Sequence, residues 1–278
     1  MSDPRARTRA TARGAGGDDR PIGVFDSGLG GLTVLRALID VLPGESTVYF
    51  GDTGRFPYGP KPADEVLKHA IEIGDLLVDG GVKMLVVACN SATSVALETL
   101  QARYPVPVVG VVEPGMRAAA QATRSGRIGV IGTVGTIASG AYQRAAAEIG
   151  GFELVCAACP GFVEFVEAGD VDSDQVHVLA ERLLAPVKAA AVDTLVLGCT
   201  HYPLLARTIG DVLGRDVVLV SSADETAFAV LREVGSGSGD RSTAEHRFVT
   251  SGDVEVFRRL GARYLGPEVA DVEAWSWS

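Results

Sequence analysis

The chain has 278 residues, 47% of them hydrophobic and 6% aromatic, and a formal net charge of −10, a balance that fits one large or two modest α/β domains with aliphatic cores. No apolar run approaches the ~20 residues of a membrane helix, and the first 20 residues lack the apolar segment of a secretory signal, so a cytoplasmic protein with no membrane partner is expected. Those 20 residues hold five Arg and three Asp, a net +2 that leaves −12 on the rest; this argues against a nucleic-acid surface on the folded body, though not against a small anionic substrate.

Residues 1–20 are rich in Arg, Gly and Ala and read as a disordered tail. Short aliphatic runs then alternate with stretches of helical spacing. Strands are expected at Ile22–Phe25, Thr47–Phe50, Lys83–Ala88 and Val106–Val109, then at Ile128–Gly132, Phe152–Val155, Asp193–Gly198 and Asp216–Val220. Between them, sets such as Leu32, Leu35, Ile39 and Leu42, or Ala92, Val95, Ala96 and Leu100, mark buried helix faces. Such alternation predicts α/β architecture with parallel sheets covered by helices.

The second set of strands repeats the first at a nearly constant offset, and the text repeats with it: IGVFDSGLG beside IGVIGTVGT, KMLVVACNSAT beside DTLVLGCTHYP. Two similar α/β domains, related by a pseudo-twofold axis and facing each other across a cleft, are therefore expected. The first comprises residues 21–115 and 224–278, the second residues 116–223. After a helix near Asp224–Glu233, GSGSGDRSTAE reads as a flexible loop. A strand at His246–Thr250 and a helix at Asp253–Arg263 then return to the first half, and the last residues read as frayed.

In parallel sheets, ligands bind at the carboxyl ends of the strands. Four predicted strand ends carry polar chemistry: Asp26-Ser27-Gly28, Cys89-Asn90-Ser91, Thr133 to Thr136, and Cys199-Thr200-His201. Cys89 and Cys199 hold equivalent places, each expected between a strand and a helix N-terminus whose dipole favours the thiolate. Two sulfurs aimed at one cleft from opposite sides would suit inversion at a carbon: a base removes a proton from one face and an acid returns one to the other. Asn90, Ser91, Thr200 and helix N-terminal amides are donors for charge developing on a carboxylate. Asp26 could assist Cys89, hold a substrate ammonium, or cap a helix; His201 could orient Cys199, shuttle its proton, or make a structural bond.

Two motifs compete with this reading. Ser27-Gly28-Leu29-Gly30-Gly31 has a faint likeness to a dinucleotide fingerprint, but a tight turn that brings backbone close to a small anion fits better. Cys156-Ala-Ala-Cys159 is a CxxC read chiefly as buried thiols; a redox pair, or a metal site with His177, is the alternative. The chain has four lysines, Lys61, Lys68, Lys83 and Lys188, so a pyridoxal Schiff base has few places to form.

Taken together, IGVFDSGLGGLTVL, YFGDTGRFPYGPK, VVACNSAT, LVLGCTHYPLL and FVTSGDVEVFRRLGARYLG closely resemble the bacterial glutamate racemases of the cofactor-independent aspartate/glutamate racemase superfamily. The resemblance spans roughly Pro21 to Gly266. It implies racemisation of glutamate to supply D-glutamate for peptidoglycan, with no cofactor and no metal, by a homodimer. It places the catalytic pair on Cys89 and Cys199, assisted by Asp26, His201 and a carboxylate matching Glu167, with Glu164 close by. It places substrate contacts on Asp26, Ser27, Pro57, Tyr58, Gly59, Asn90, Ser91, Thr200 and His201, with Thr133 and Thr136 as side-chain contacts. One departure stands out. Where the family commonly writes Cys-Asn-Thr-Ala, this chain has Cys89-Asn90-Ser91-Ala92, which keeps the hydroxyl and loses a methyl. The nearest rivals are an aspartate racemase, or a two-domain binder of small anions that performs no catalysis.

Overall fold

Along the aliphatic runs, successive side chains are buried on opposite faces, as strands covered by helices on both sides require. In a computed structural model, which describes residues 18–235, 244–269 and 271–277, the first half runs β1 (Ile22–Asp26), α1 (Leu32–Val41), β2 (Thr47–Gly51), α2 (Ala63–Asp79), β3 (Met84–Val87), α3 (Asn90–Arg103) and β4 (Val108–Gly110). The second runs α4 (Val112–Ala122), β5 (Arg127–Gly132), α5 (Val134–Ala138), α6 (Ala141–Ile149), β6 (Glu153–Ala158), α7 (Phe162–Glu167), α8 (Asp174–Ala189), β7 (Thr194–Gly198), α9 (Ala206–Leu213) and β8 (Val218–Ser221). The chain ends with α10 (Ser222–Val234), β9 (His246–Thr250), α11 (Val254–Leu265) and β10 (Val272–Ala274).

The strands form two parallel sheets, in the orders β10-β9-β2-β1-β3-β4 and β6-β5-β7-β8. The core order β2-β1-β3-β4 of the first is reproduced in the second as β6-β5-β7-β8. The repeated text thus corresponds to a repeated topology, and β9 and β10 extend only the first sheet. Each sheet is packed on both faces: Val24 and Val86 face one cluster while Phe25 and Val87 face another, and Leu195 and Leu197 oppose Val130 and Val196 in the second half.

Three expectations need correction. β4 starts at Val108 instead of Val106, because Pro107 has no N–H for the ladder and contributes only its carbonyl, which accepts from Leu85. β6 runs on to Ala158, so Cys156 lies within a strand and Cys159 beyond it; their side chains pack into different clusters and do not form a facing pair. The last residues are not frayed. β10 pairs in parallel with β9, the Trp275 amide donates to the Thr250 carbonyl at 2.8 Å, and Trp277 packs on Phe50 with ring centroids 5.6 Å apart. Two indole rings have enough apolar area to hold a short edge segment down. The expected tail falls mostly, and the Gly/Ser-rich loop largely, outside the described residues.

Candidate active site

Close packing of glycines brings the two halves together. A Cβ on Gly30 would lie 2.3 Å from Thr200 Oγ1 and 2.7 Å from His201 Nδ1, and one on Gly31 would lie 2.5 Å from the Asp26 Cβ. The glycine-rich turn is therefore a place where one half touches the other, which answers the faint dinucleotide resemblance.

Asp26 ends β1 and is fully buried. Its Oδ2 accepts from the Gly28 amide at 2.9 Å, and its Oδ1 accepts from Thr200 Oγ1 of the other half at 3.5 Å. It does not cap α1, whose N-cap is Gly31 with no side-chain bond. Burial pushes its carboxyl up, against the pull of the His201 charge and of the Gly28 and Gly31 amides.

Cys89 caps α3: its sulfur accepts from the Ala92 amide at 3.4 Å, and its S–H reaches Ser27 Oγ at 3.6 Å. The start of α3 favours the thiolate, as expected, and burial acts against it. Burial, with the Asp26 charge behind it, pushes the thiol up to about 12 and outweighs the Ala92 and Ser27 hydrogen bonds. Cys199 departs from the expected pattern in another way. It is followed by a 3₁₀ turn, Tyr202–Leu205, with Pro203 in its first turn, and α9 begins only at Ala206. Its polar partner is His201, whose Nδ1 lies 3.9 Å from the sulfur. The other ring nitrogen, Nε2, is 2.6 Å from Glu167 Oε1, and Phe56 packs on the ring with centroids 5.8 Å apart. Burial opposes charge on His201, yet hydrogen bonds to Cys199 and Glu167 raise it to about 10. Of the two neighbouring carboxylates, Glu167 is the one that bonds His201.

Beside Cys89 in the chain, a row of hydroxyls and an amide joins the two halves. Ser91 Oγ is 3.0 Å from Thr133 Oγ1 and 3.2 Å from Thr136 Oγ1, which are 2.9 Å apart. Thr133 also caps α5 through the Thr136 amide. Asn90 Nδ2 donates to the Tyr142 hydroxyl at 2.8 Å, while its buried Oδ1 has no partner among the described residues. Tyr142 takes one of the two Nδ2 N–H groups, and the unpartnered Oδ1 is an acceptor open to a ligand. Gly59 accepts from the Gly135 amide at 2.9 Å, and a Cβ there would lie 2.7 Å from the Thr133 Cβ, so the Pro57–Gly59 segment also bridges the halves. The Tyr58 hydroxyl is bonded to Asp52, so its side chain anchors the loop.

Thus Asp26, Ser27, Cys89, Asn90, Ser91, Thr133, Thr136, Cys199, Thr200, His201 and Glu167 are brought together, with Gly59 at the edge. Lys61 and Lys83 are paired with Glu65 and Glu45. Two cavities of about 220 and 260 Å³ adjoin Glu167, Leu29 and Leu260, and neither is lined by a cysteine. Cys89 and Cys199 keep only 4% and 7% of their surface exposed. Sequence reasoning missed Tyr142, Phe56 and Asp52. Tyr142 lies in no recognisable pattern, whereas Asp52 and Phe56 sit in YFGDTGRFPYGPK, with Asp52 at a strand end, the same signal that marked Asp26.

Residues 22–229 match the family model described as Asp/Glu/Hydantoin racemase. A glutamate racemase of Parafrankia sp. is 55% identical over 256 residues, covering 91% of this chain and 93% of its own. Among solved structures, a glutamate racemase of Bacillus anthracis is 41% identical with a TM-score of 0.86, covering 93% of this chain and 97% of its own. One from Francisella tularensis, in complex with D-glutamate, is 33% identical with a TM-score of 0.85, covering 93% and 98%.

Proposed function

The chain belongs to the Asp/Glu/hydantoin racemase family and is an isomerase, and from that premise we propose that it interconverts L- and D-glutamate by proton transfer between Cys89 and Cys199. The observation that carries this reading is the pair of cysteines at equivalent strand ends, each with its own polar partners, with the carboxyl of Asp26 bonded across the halves to Thr200, the neighbour of Cys199. A binder of small anions has no need of two such sulfurs. The names of the relatives support glutamate as substrate.

In the proposed reaction, one cysteine acts as thiolate and takes the α-proton, forming S–H. The opposite cysteine gives its proton to the other face of the same carbon and becomes the thiolate. The enzyme ends with the two roles exchanged, and the reverse substrate restores them. Asp26, whose carboxyl is pushed up by burial, receives the Cys89 proton when Cys89 must serve as base. His201, held by Glu167, carries positive charge beside Cys199 and steadies its thiolate form. As the α-carbon loses its proton, charge moves into the substrate carboxylate. Amides at the start of α3, with Ser91, Thr133, Thr136 and Thr200, are the donors for it, and the free Oδ1 of Asn90 accepts from the ammonium. Ser27 and the backbone of Pro57, Tyr58 and Gly59 complete the wall. The nearly closed sulfurs mean that the halves separate to admit substrate. We assign residues 21–115 with 224–278 to one domain and 116–223 to the other. The enzyme acts in the cytoplasm as a homodimer, supplying D-glutamate for peptidoglycan.

The test is polarimetric: L-glutamate should lose its rotation much faster than L-aspartate at equal concentration. Faster turnover of aspartate would overturn the substrate assignment.

A further inference from the structure

Asp52 is fully buried where β2 ends, and its amide donates to the carbonyl of Asp26 at 3.0 Å. Its two oxygens take four donors. Oδ2 accepts from Arg55 Nε at 2.7 Å and from the Tyr58 hydroxyl; Oδ1 accepts from Ser251 Oγ at 2.6 Å and from the indole N–H of Trp277 at 2.9 Å. Four lone-pair sites are thereby filled. The donors divide by origin: Arg55 and Tyr58 belong to the loop that runs on to Gly59, whereas Ser251 and Trp277 belong to the segment that closes the first sheet. Trp277 grips the loop a second time, its ring centroid 3.8 Å from the Arg55 guanidinium carbon. At its far end the loop meets the other half through Gly59, against Gly135 and Thr133.

We infer that Asp52 is a positioning residue for the substrate loop and that Trp277 latches it in place, so that glutamate affinity depends on a tryptophan lying behind the loop and touching no substrate. The inference rests on the proposed function in taking the Pro57–Gly59 segment as a wall of the substrate site. A continuous run of contacts leads from Trp277 through Asp52, Arg55 and Tyr58 to Gly59, and so to Thr133 and Ser91. Loosening its outer end moves the loop without altering either cysteine.

Trp275 and Trp277 are the only tryptophans in the chain, which gives the latch its own spectroscopic signal. Trp277→Phe removes the N–H and leaves a smaller aromatic ring; Trp277→Ala removes the ring altogether; Trp275→Phe is the control. We expect KM for glutamate to rise about fivefold in Trp277→Phe and further in Trp277→Ala, with kcat within about twofold of wild type. Saturating glutamate should change tryptophan emission in the wild type and in Trp275→Phe, and not in Trp277→Phe. Independently of any substrate, amide exchange over residues 53–61 should quicken at least tenfold in Trp277→Ala. Unchanged exchange over those residues, or unchanged KM in both Trp277 variants, would overturn the latch. A wild-type enzyme that fails to racemise glutamate would defeat the substrate assignment instead, and the exchange measurement would still decide the latch.

Discussion

Replacing Glu167 with Gln removes one charge from the His201 bridge and leaves its shape nearly unchanged. The carboxylate stands 2.6 Å from Nε2 of a ring that is almost wholly buried, and a hydrogen bond to a charged group contributes about 1.5–3 kcal/mol. At ~1.4 kcal/mol per pKa unit, His201 should fall from about 10 by about one to two units. The sign follows from which form works: if protonated His201 supports Cys199, activity is lost as pH rises through the His201 pKa. The alkaline limb of kcat/KM for glutamate should therefore move toward neutrality by about one to two units in Glu167→Gln, with at most about a twofold loss at pH 8 that grows to roughly five- to fiftyfold near pH 10. Because the equilibrium constant between enantiomers is one, kcat/KM must fall equally in both directions, which a polarimetric assay begun from L- and from D-glutamate checks internally. An alkaline limb that does not move, or kcat/KM within twofold of wild type near pH 10, would refute the assignment of Glu167 and His201 to Cys199.

Other expectations follow from the same geometry. Cys89→Ser and Cys199→Ser should each lower racemisation by at least about a thousandfold while leaving far-ultraviolet circular dichroism unchanged, since a buried hydroxyl is a far weaker acid than a thiol; activity within tenfold of wild type in either variant counts against the pair. Gly30→Ala should force Thr200 and His201 away from the turn, costing roughly 1–3 kcal/mol of stability in a thermal melt and cutting kcat more than KM; an unaltered melt and rate would mean the halves need not approach so closely. Tyr142→Phe strips Asn90 Nδ2 of its acceptor, so the amide is free to turn and KM for glutamate should rise about three- to tenfold; an unchanged KM would show that Tyr142 does not fix Asn90.

The fold was legible because aliphatic runs of strand length, spaced by helical patterns, admit few arrangements, and because the duplicated text IGVFDSGLG and IGVIGTVGT repeats at the offset of the sheets. The strand ends bearing Asp26, Cys89, Thr133 and Cys199 followed from the same pattern. What escaped was long-range or energetic. The long stretch of chain between Cys89 and Cys199 conceals that their environments differ: Cys89 faces a carboxyl and a serine, Cys199 an imidazole with its own carboxylate. Dipole reasoning alone treated the two cysteines as equivalents, but the desolvation of Cys89 outweighs the hydrogen bonds it receives from Ala92 and Ser27. The end of the chain was misread because Glu, Ser and Asp around Trp275 and Trp277 look solvated, while the packing of the two rings on Phe50 and on each other decides where the segment lies.

The most direct test of two opposed sulfurs is isotopic. L-glutamate incubated with the enzyme in deuterium oxide and sampled at a few per cent conversion should yield D-glutamate deuterated at Cα, while the recovered L-glutamate keeps its hydrogen. Deuterium appearing in recovered L-glutamate as fast as in the product, or D-glutamate that retains the original hydrogen, would point to a single group working both faces and contradict the account.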